Sequence, residues 1–155
     1  MQKPTRKQEP TITFAYALRN WVNHKQQPKQ RLGQYLKSYK HHRDVFLSLG
    51  GMSIVEDVAR ETTDYDKKND DEKQKIIDKE WDKLEAVMYL LGSDDVKFKD
   101  LKTDLESRYT RLKEAYPANI LAMHDVMESH RGSADSKKSN SNNNNTCDEK
   151  KDGKS

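Results

Sequence analysis

The sequence predicts an all-α fold, a small bundle of about six helices with disordered ends, and three observations predict it. Apolar residues recur at i, i+3, i+4 and i+7 through most of the chain, the spacing that lines one face of a helix. No alternating segment longer than four residues appears, so strands are not expected. Nearly all of the large apolar residues lie between Ile12 and Met127, which confines the core to that stretch. The expected organisation is a flexible basic arm over residues 1–10, a helical domain over 11–131, and a Ser/Asn/Lys/Asp-rich disordered tail over 132–155.

The first helix is expected to start after Thr11 or Thr13, either of which can cap it, with Phe14, Tyr16, Ala17, Leu18, Trp21 and Val22 inward. Pro28 marks the break before a second helix from Lys29 to Leu49, whose stripe is Leu32, Tyr35, Leu36, Tyr39, Arg43, Phe46 and Leu47. Gly50 and Gly51 end it. Ser53 suits the N-cap of a short helix bearing Ile54, Val55, Val58 and Ala59, and the charged residues after Thr62 read as a surface loop. Asp70 or Asp71 then caps a long helix to about Leu91, with Ile76, Ile77, Trp81, Leu84, Val87, Met88 and Leu91 as its buried stripe. After Gly92, Ser93-Asp94-Asp95 opens a fifth helix that turns Phe98, Leu101, Leu105, Tyr109 and Leu112 inward. Pro117 and Asn119 start the last helix, carrying Ile120, Met123, Val126 and Met127, and Gly132 stops it.

Composition narrows the function. At 155 residues there is room for one domain, and 32% hydrophobic against 35% charged residues means a thin core that partners help to complete. Residues 1–50 hold ten Lys/Arg against Glu9 and Asp44, a balance of +8, while the remaining residues hold 19 against 24, a balance of −5. Such a dipolar chain attracts copies of itself head to tail, and its basic end can lie along phosphates. With Cys147 alone, no intrachain disulfide forms. No run approaches the roughly 20 apolar residues of a membrane span, and the N-terminus lacks a signal core, so the expected location is cytoplasmic.

No chemistry of an enzyme is legible. There is no nucleophile elbow, phosphate loop or dinucleotide fingerprint, and Cys147 has no fold around it. The pairs Asp70-Asp71 and Asp94-Asp95 stand where helices begin and stabilise first turns. His24, His41 and His42 are near in sequence, but neighbours on a helix point about 100° apart, a poor geometry for one ion. The expectation is no catalytic residue, no metal and no cofactor. Trp21, Tyr35, Tyr39, Phe46, Trp81 and Tyr109 interleave with basic residues, as base-stacking aromatics do, yet all fall on apolar stripes and are assigned to the core.

The order of landmarks nevertheless points to a family. The segments Tyr16-Ala-Leu-Arg-Asn-Trp-Val-Asn-His-Lys-Gln-Gln-Pro, Leu32-Gly-Gln-Tyr35-Leu-Lys-Ser-Tyr39 and Asp44-Val-Phe-Leu-Ser-Leu-Gly-Gly51 resemble the Gag capsid region of Copia-type LTR retrotransposons. Glu85-Ala-Val-Met-Tyr-Leu-Leu-Gly-Ser-Asp, Phe98-Lys-Asp-Leu101-Lys-Thr-Asp-Leu105 and Tyr116-Pro117 continue the likeness in the same order, over about residues 12–131. The resemblance implies a retroviral-capsid-like bundle in which Gln26, Leu32, Tyr35 and Tyr39 stand for the major homology region. Gln30 and Ser38 occupy the positions where that pattern has Glu and Arg, which puts its hydrogen-bond network in doubt. No zinc knuckle surrounds Cys147 and no protease Asp-Ser/Thr-Gly is present, so a fragment or degenerate copy is expected.

The function the resemblance implies is structural: a capsid-like protein that self-assembles, packages RNA, and forms virus-like particles if the element is active. The expected partners are further copies of the chain and RNA, with no membrane and no small-molecule substrate. The RNA-binding residues expected from charge are Lys3, Arg6, Lys7, Arg19, Lys25, Lys29, Arg31, Lys37 and Lys40. The competing reading is a cellular helical adaptor or nucleic-acid-binding bundle that uses the same basic face.

Overall fold

The computed structural model describes residues 9–112 and 115–130, so most of the expected arm and the tail lie outside the described residues. Six α-helices run in order: α1 (Pro10–Val22), α2 (Leu32–Ser48), α3 (Glu56–Arg60), α4 (Asp70–Leu91), α5 (Asp95–Leu112) and α6 (Ile120–Ser129). Two 3-10 turns, Gly51–Val55 and Tyr65–Lys67, link α2 to α3 and α3 to α4. No strand occurs among the described residues, and the fold is the all-helical bundle expected. Helix α1 packs on α2, and α4 lies against α2, α3 and α6.

Several helix starts differ from expectation. Helix α1 opens two to four residues early, because Pro10 sits in its first turn with φ already suited to a helix, and the Thr13 N–H donates to the Glu9 carbonyl. Helix α2 begins at Leu32 rather than Lys29, since Pro28 and a turn at Gln27–Gln30 occupy the intervening residues. Gly50 takes the left-handed conformation at φ 84°, as a C-terminal glycine should. Ser53 caps nothing: the chain enters a 3-10 turn straight after Gly50 and passes directly into α3. At α4 the cap is Asn69, one residue before the expected aspartates, with Glu72 N–H donating to its Oδ1 at 2.8 Å and the Glu72 carboxylate accepting from the Asn69 N–H. Asn119 caps α6 as expected, accepting from the Ala122 N–H at 2.9 Å. Gly132, the expected stop of α6, lies outside the described residues; the helix ends at Ser129.

Aromatic rings fill the centre of the core. Trp21 stacks on Phe46 and on Trp81, each with centroids 5.2 Å apart, and Tyr35 stacks on Tyr89 at 4.9 Å. Phe98, Leu101 and Leu105 of α5 and Ile120, Met123 and Met127 of α6 join the same cluster. On α1, α5 and α6, four residues expected to face inward are exposed instead: Tyr16, Val22, Tyr109 and Val126. The largest correction is on α4. Its buried residues are Trp81, Glu85, Ala86, Tyr89 and Leu90, whereas Leu91 is exposed and Val87 only half-buried. The expected stripe is turned about the helix axis because α2 and α6 both claim the face that carries Tyr89.

Candidate functional site

The densest polar geometry lies at the corner where the α1–α2 connection meets the α4–α5 turn, and Gln26 is its centre. Gln26 is 7% exposed. Its N–H donates to the Gly92 carbonyl at 2.8 Å, its Nε2 to the Gln30 carbonyl at 2.9 Å, and its Oε1 accepts from the Asp94 N–H at 2.9 Å. A buried amide so satisfied fixes two connections against each other. Gly92 leaves space for this: a Cβ there would meet the Tyr35 hydroxyl and stand 2.5 Å from the His24 carbonyl oxygen.

Below this corner, two tyrosines of α2 reach across to the backbone of α4. The Tyr35 hydroxyl donates to the Tyr89 carbonyl and the Tyr39 hydroxyl to the Glu85 carbonyl, both at 2.7 Å. The two tyrosines and their two acceptors are each one helical turn apart, so the bonds set the register of α2 on α4. Leu32 packs half-buried at the edge of the same core. Of the residues picked out together in the sequence, Gln26 and the Tyr35 hydroxyl lie against Gly92, Tyr39 bonds one turn further along α4, and Leu32 packs on the edge of the core. Gln30 supplies its backbone carbonyl to Gln26, and Ser38 bonds His24 at 2.7 Å and the Tyr35 carbonyl at 3.0 Å.

Two buried polar arrangements were not foreseen. Glu85 is 6% exposed, yet its carboxylate accepts from the Trp81 indole N–H at 3.1 Å and lies 3.4 Å from Arg43, which also holds Asp44 at 2.9 Å. Burial is the main cause that pushes the Glu85 carboxyl above its usual range, with Arg43 opposing. A carboxyl raised by folding contributes its stability below the unfolded pKa and loses it as pH rises through the folded one. Glu85→Gln is therefore expected to flatten the pH dependence above pH 4.5, its ordinary value, and to cost less at pH 7 than at pH 4. Thermal midpoints across that range check this, and an unchanged pH profile would contradict it.

The second is a chain in which the Tyr89 hydroxyl meets His124 Nδ1 at 2.7 Å and His124 Nε2 meets the Glu128 carboxylate at 3.1 Å. The order is that of a proton relay, but Tyr89 of α4 is fully buried between α2 and α6 and burial drives its hydroxyl pKa upward. It serves to satisfy a core hydroxyl.

The basic residues sort into three groups. Lys3, Arg6 and Lys7 lie outside the described residues. Lys29, Arg31 and Lys37 are exposed along the connection and the first turns of α2, and Lys40 is half-buried. Arg19 and Lys25 come together with His24, His42, Asn20 and Asn23 around an open cleft of about 380 Å³ between the end of α1 and the middle of α2. The rings of His24 and His42 are 4.7 Å apart and those of His41 and His42 5.5 Å. Among the described residues, no group of three His, Cys, Asp or Glu side chains is placed to hold a metal ion. A separate cleft of about 530 Å³ brings Lys79 and Lys83 to Tyr109, Tyr116 and Pro117, which is where the unexpectedly exposed Tyr109 lies.

No helix among the described residues is long and apolar enough to cross a membrane. No family model, curated protein or solved structure matches this chain.

Proposed function

We propose that this chain is a structural, capsid-like module of Copia Gag type that associates with copies of itself and with RNA, and is not an enzyme. The observation that carries the self-association is the pattern of exposed apolar residues. Ile12 and Tyr16 on α1, Val45 on α2 with Leu49 at its C-cap, and Ile54 of the 3-10 turn with Val58 of α3 are three pairs spaced four residues apart, and all six side chains are 39–56% exposed. Single exposed hydrophobics are ordinary, but turn-spaced pairs are how a helix presents an apolar face to a partner. A chain this poor in apolar residues leaves them outside at a cost that a second copy removes. The order of landmarks over residues 12–131, with Gln26 tying the α1–α2 connection to the α4–α5 turn and Tyr35 and Tyr39 bonding the backbone of α4, supports the capsid reading.

RNA association rests on charge. Arg19, Lys25, Lys29, Arg31 and Lys37 are all exposed on or beside α1 and α2. Phosphate contacts of this kind release counterions, so affinity for a single-stranded RNA should fall steeply with salt and show little sequence preference. Fluorescence anisotropy with a labelled oligonucleotide, between about 50 and 200 mM salt, is expected to show a loss of at least tenfold for several phosphates neutralised. Salt-independent binding, or none at low salt, would remove RNA from the proposal.

A further inference from the structure

We propose that the cleft between the end of α1 and the middle of α2 is a proton-linked phosphate subsite, which holds a polyanion's phosphate more tightly once His24 and His42 carry charge. The inference deepens the RNA-binding reading and rests on it only for the source of the phosphate.

The walls of the cleft are donors. Arg19 is exposed, with its guanidinium 5.0 Å over the Tyr16 ring, a contact that orients it. Lys25 and the amides of Asn20 and Asn23 are exposed beside it, and no carboxylate lines the cleft. The nearby charges of opposite sign are already committed. Asp44 and Glu85 are held by Arg43, Asp95, whose charge Lys25 feels, is bonded to Lys102 at 2.7 Å, and Asp94 accepts from the Val96 N–H at 2.8 Å. One effect opposes an anion: the carbonyl end of α1 points here, with its partial negative charge. Two fixed cations outweigh half a charge, and a phosphate bearing more than one charge gains most.

The histidines supply the proton linkage. With the Ser38 hydroxyl donating to the Tyr35 carbonyl, its oxygen is left to accept from His24 Nε2 in the tautomer that carries its proton there. That fixes the tautomer and leaves His24 Nδ1 as the nitrogen that titrates. The Tyr35 ring stacks on His24 with centroids 5.6 Å apart, and His42 has His41 on its other side. Burial first, and then the neighbouring histidine, lowers the pKa of both His24 and His42. Both are therefore neutral at neutral pH, when the cleft is empty. An anion in the cleft beside both rings reverses the penalty, raises both pKa values and draws in protons. Its affinity must then rise as pH falls from the bound-state values to the free-state ones, and level off below.

The test is a titration of the full chain with inorganic pyrophosphate, followed by NMR of the histidine ring protons at about pH 5.5 and pH 7.5. The expected result is a saturable shift of the His24 and His42 signals, higher titration midpoints for both, and a Kd that, after allowance for the proton pyrophosphate itself takes up over this range, tightens by up to about tenfold per pH unit for each proton taken up by the chain. Arg19→Gln, at an exposed position, should fold normally and bind about tenfold more weakly, the loss of one charge-assisted contact. A Kd equal at the two pH values, a response confined to His124 and His130, or Arg19→Gln binding as tightly as the parent chain would each overturn the proposal. A short single-stranded RNA serves as the second arm. If it displaces pyrophosphate, nucleic acid is the source of the phosphate; if pyrophosphate binds as expected and RNA does not compete, the subsite stands and the RNA reading falls.

Discussion

Trp81→Ala should cost roughly 3–5 kcal/mol of folding stability, enough to unfold a marginal domain. Trp81 is 3% exposed and stands where α4 meets α1 and α2, stacked on Trp21 at 5.2 Å and on Phe46 at 6.1 Å. Truncation opens a cavity between two large rings that cannot close it without moving a helix. It also removes the indole N–H that donates to Glu85, leaving a buried carboxylate with Arg43 alone. Trp81→Phe separates these contributions: it keeps the stack and loses the donor, and should cost about 1 kcal/mol. Urea unfolding of the two variants checks the pair. Equal, small losses would place Trp81 at the surface of the working protein.

Gln26→Ala is the second large effect, at roughly 2–4 kcal/mol, although it deletes no apolar group. The substitution leaves the Asp94 N–H and the Gln30 carbonyl without their partner in a corner too crowded for ready replacement. Gln26→Glu distinguishes hydrogen bonding from packing. Its carboxylate still accepts from the Asp94 N–H but cannot donate to Gln30, and two acceptors are forced together. Its loss should shrink as pH is lowered and the carboxyl gains a proton. If both variants melt with the parent chain, Gln26 is not the bond between the two connections.

The helices were legible because each carries a strong period, and their ends were less so. Asn69 lost out to Asp70 and Asp71 in the sequence because Asn and Asp both cap well, and the deciding partner, Glu72, lies three residues past Asn69. On α4 the run Ala86-Val87-Met88-Tyr89-Leu90-Leu91 is apolar on every side, so periodicity has no unique phase there. Hydrogen bonds from Tyr35, Tyr39 and His124 choose the face, and those partners are 35–54 residues away in the chain. Glu85 could not be read as buried for the same reason: its compensating Arg43 is 42 residues distant. Gln26 was visible only through the family resemblance, since an amide on a connecting loop has no period to betray its burial, whereas Tyr35 also stood on the apolar stripe of α2. The histidine pair was read as two adjacent residues on a helix, whereas the fold sets His24 of the connection against His42.

The charge split also takes a more specific form in three dimensions. Of the ten basic residues before Gly51, Arg43 is neutralised internally by Asp44 and Glu85, while Arg19 and Lys25 converge with two histidines. Assembly and phosphate binding therefore draw on largely different surfaces, the apolar pairs at Val45–Leu49 and Ile54–Val58 and the polar cleft beside Asn23, with Tyr16 under Arg19 at the border between them. A variant at Val58 should weaken one without touching the other.

Sedimentation velocity over a concentration series, with and without single-stranded RNA, tests the central claim of a self-associating capsid-like module most directly. Capsid-type contacts are individually small, so association is expected at micromolar concentrations or above, about −8 kcal/mol or less favourable per contact. RNA should promote it by bringing copies onto one strand, and Val58→Asp should weaken it while leaving the thermal midpoint nearly unchanged, because Val58 is 54% exposed. A chain that stays strictly monomeric to millimolar concentration, alone and with RNA, would contradict the account and favour a helical adaptor.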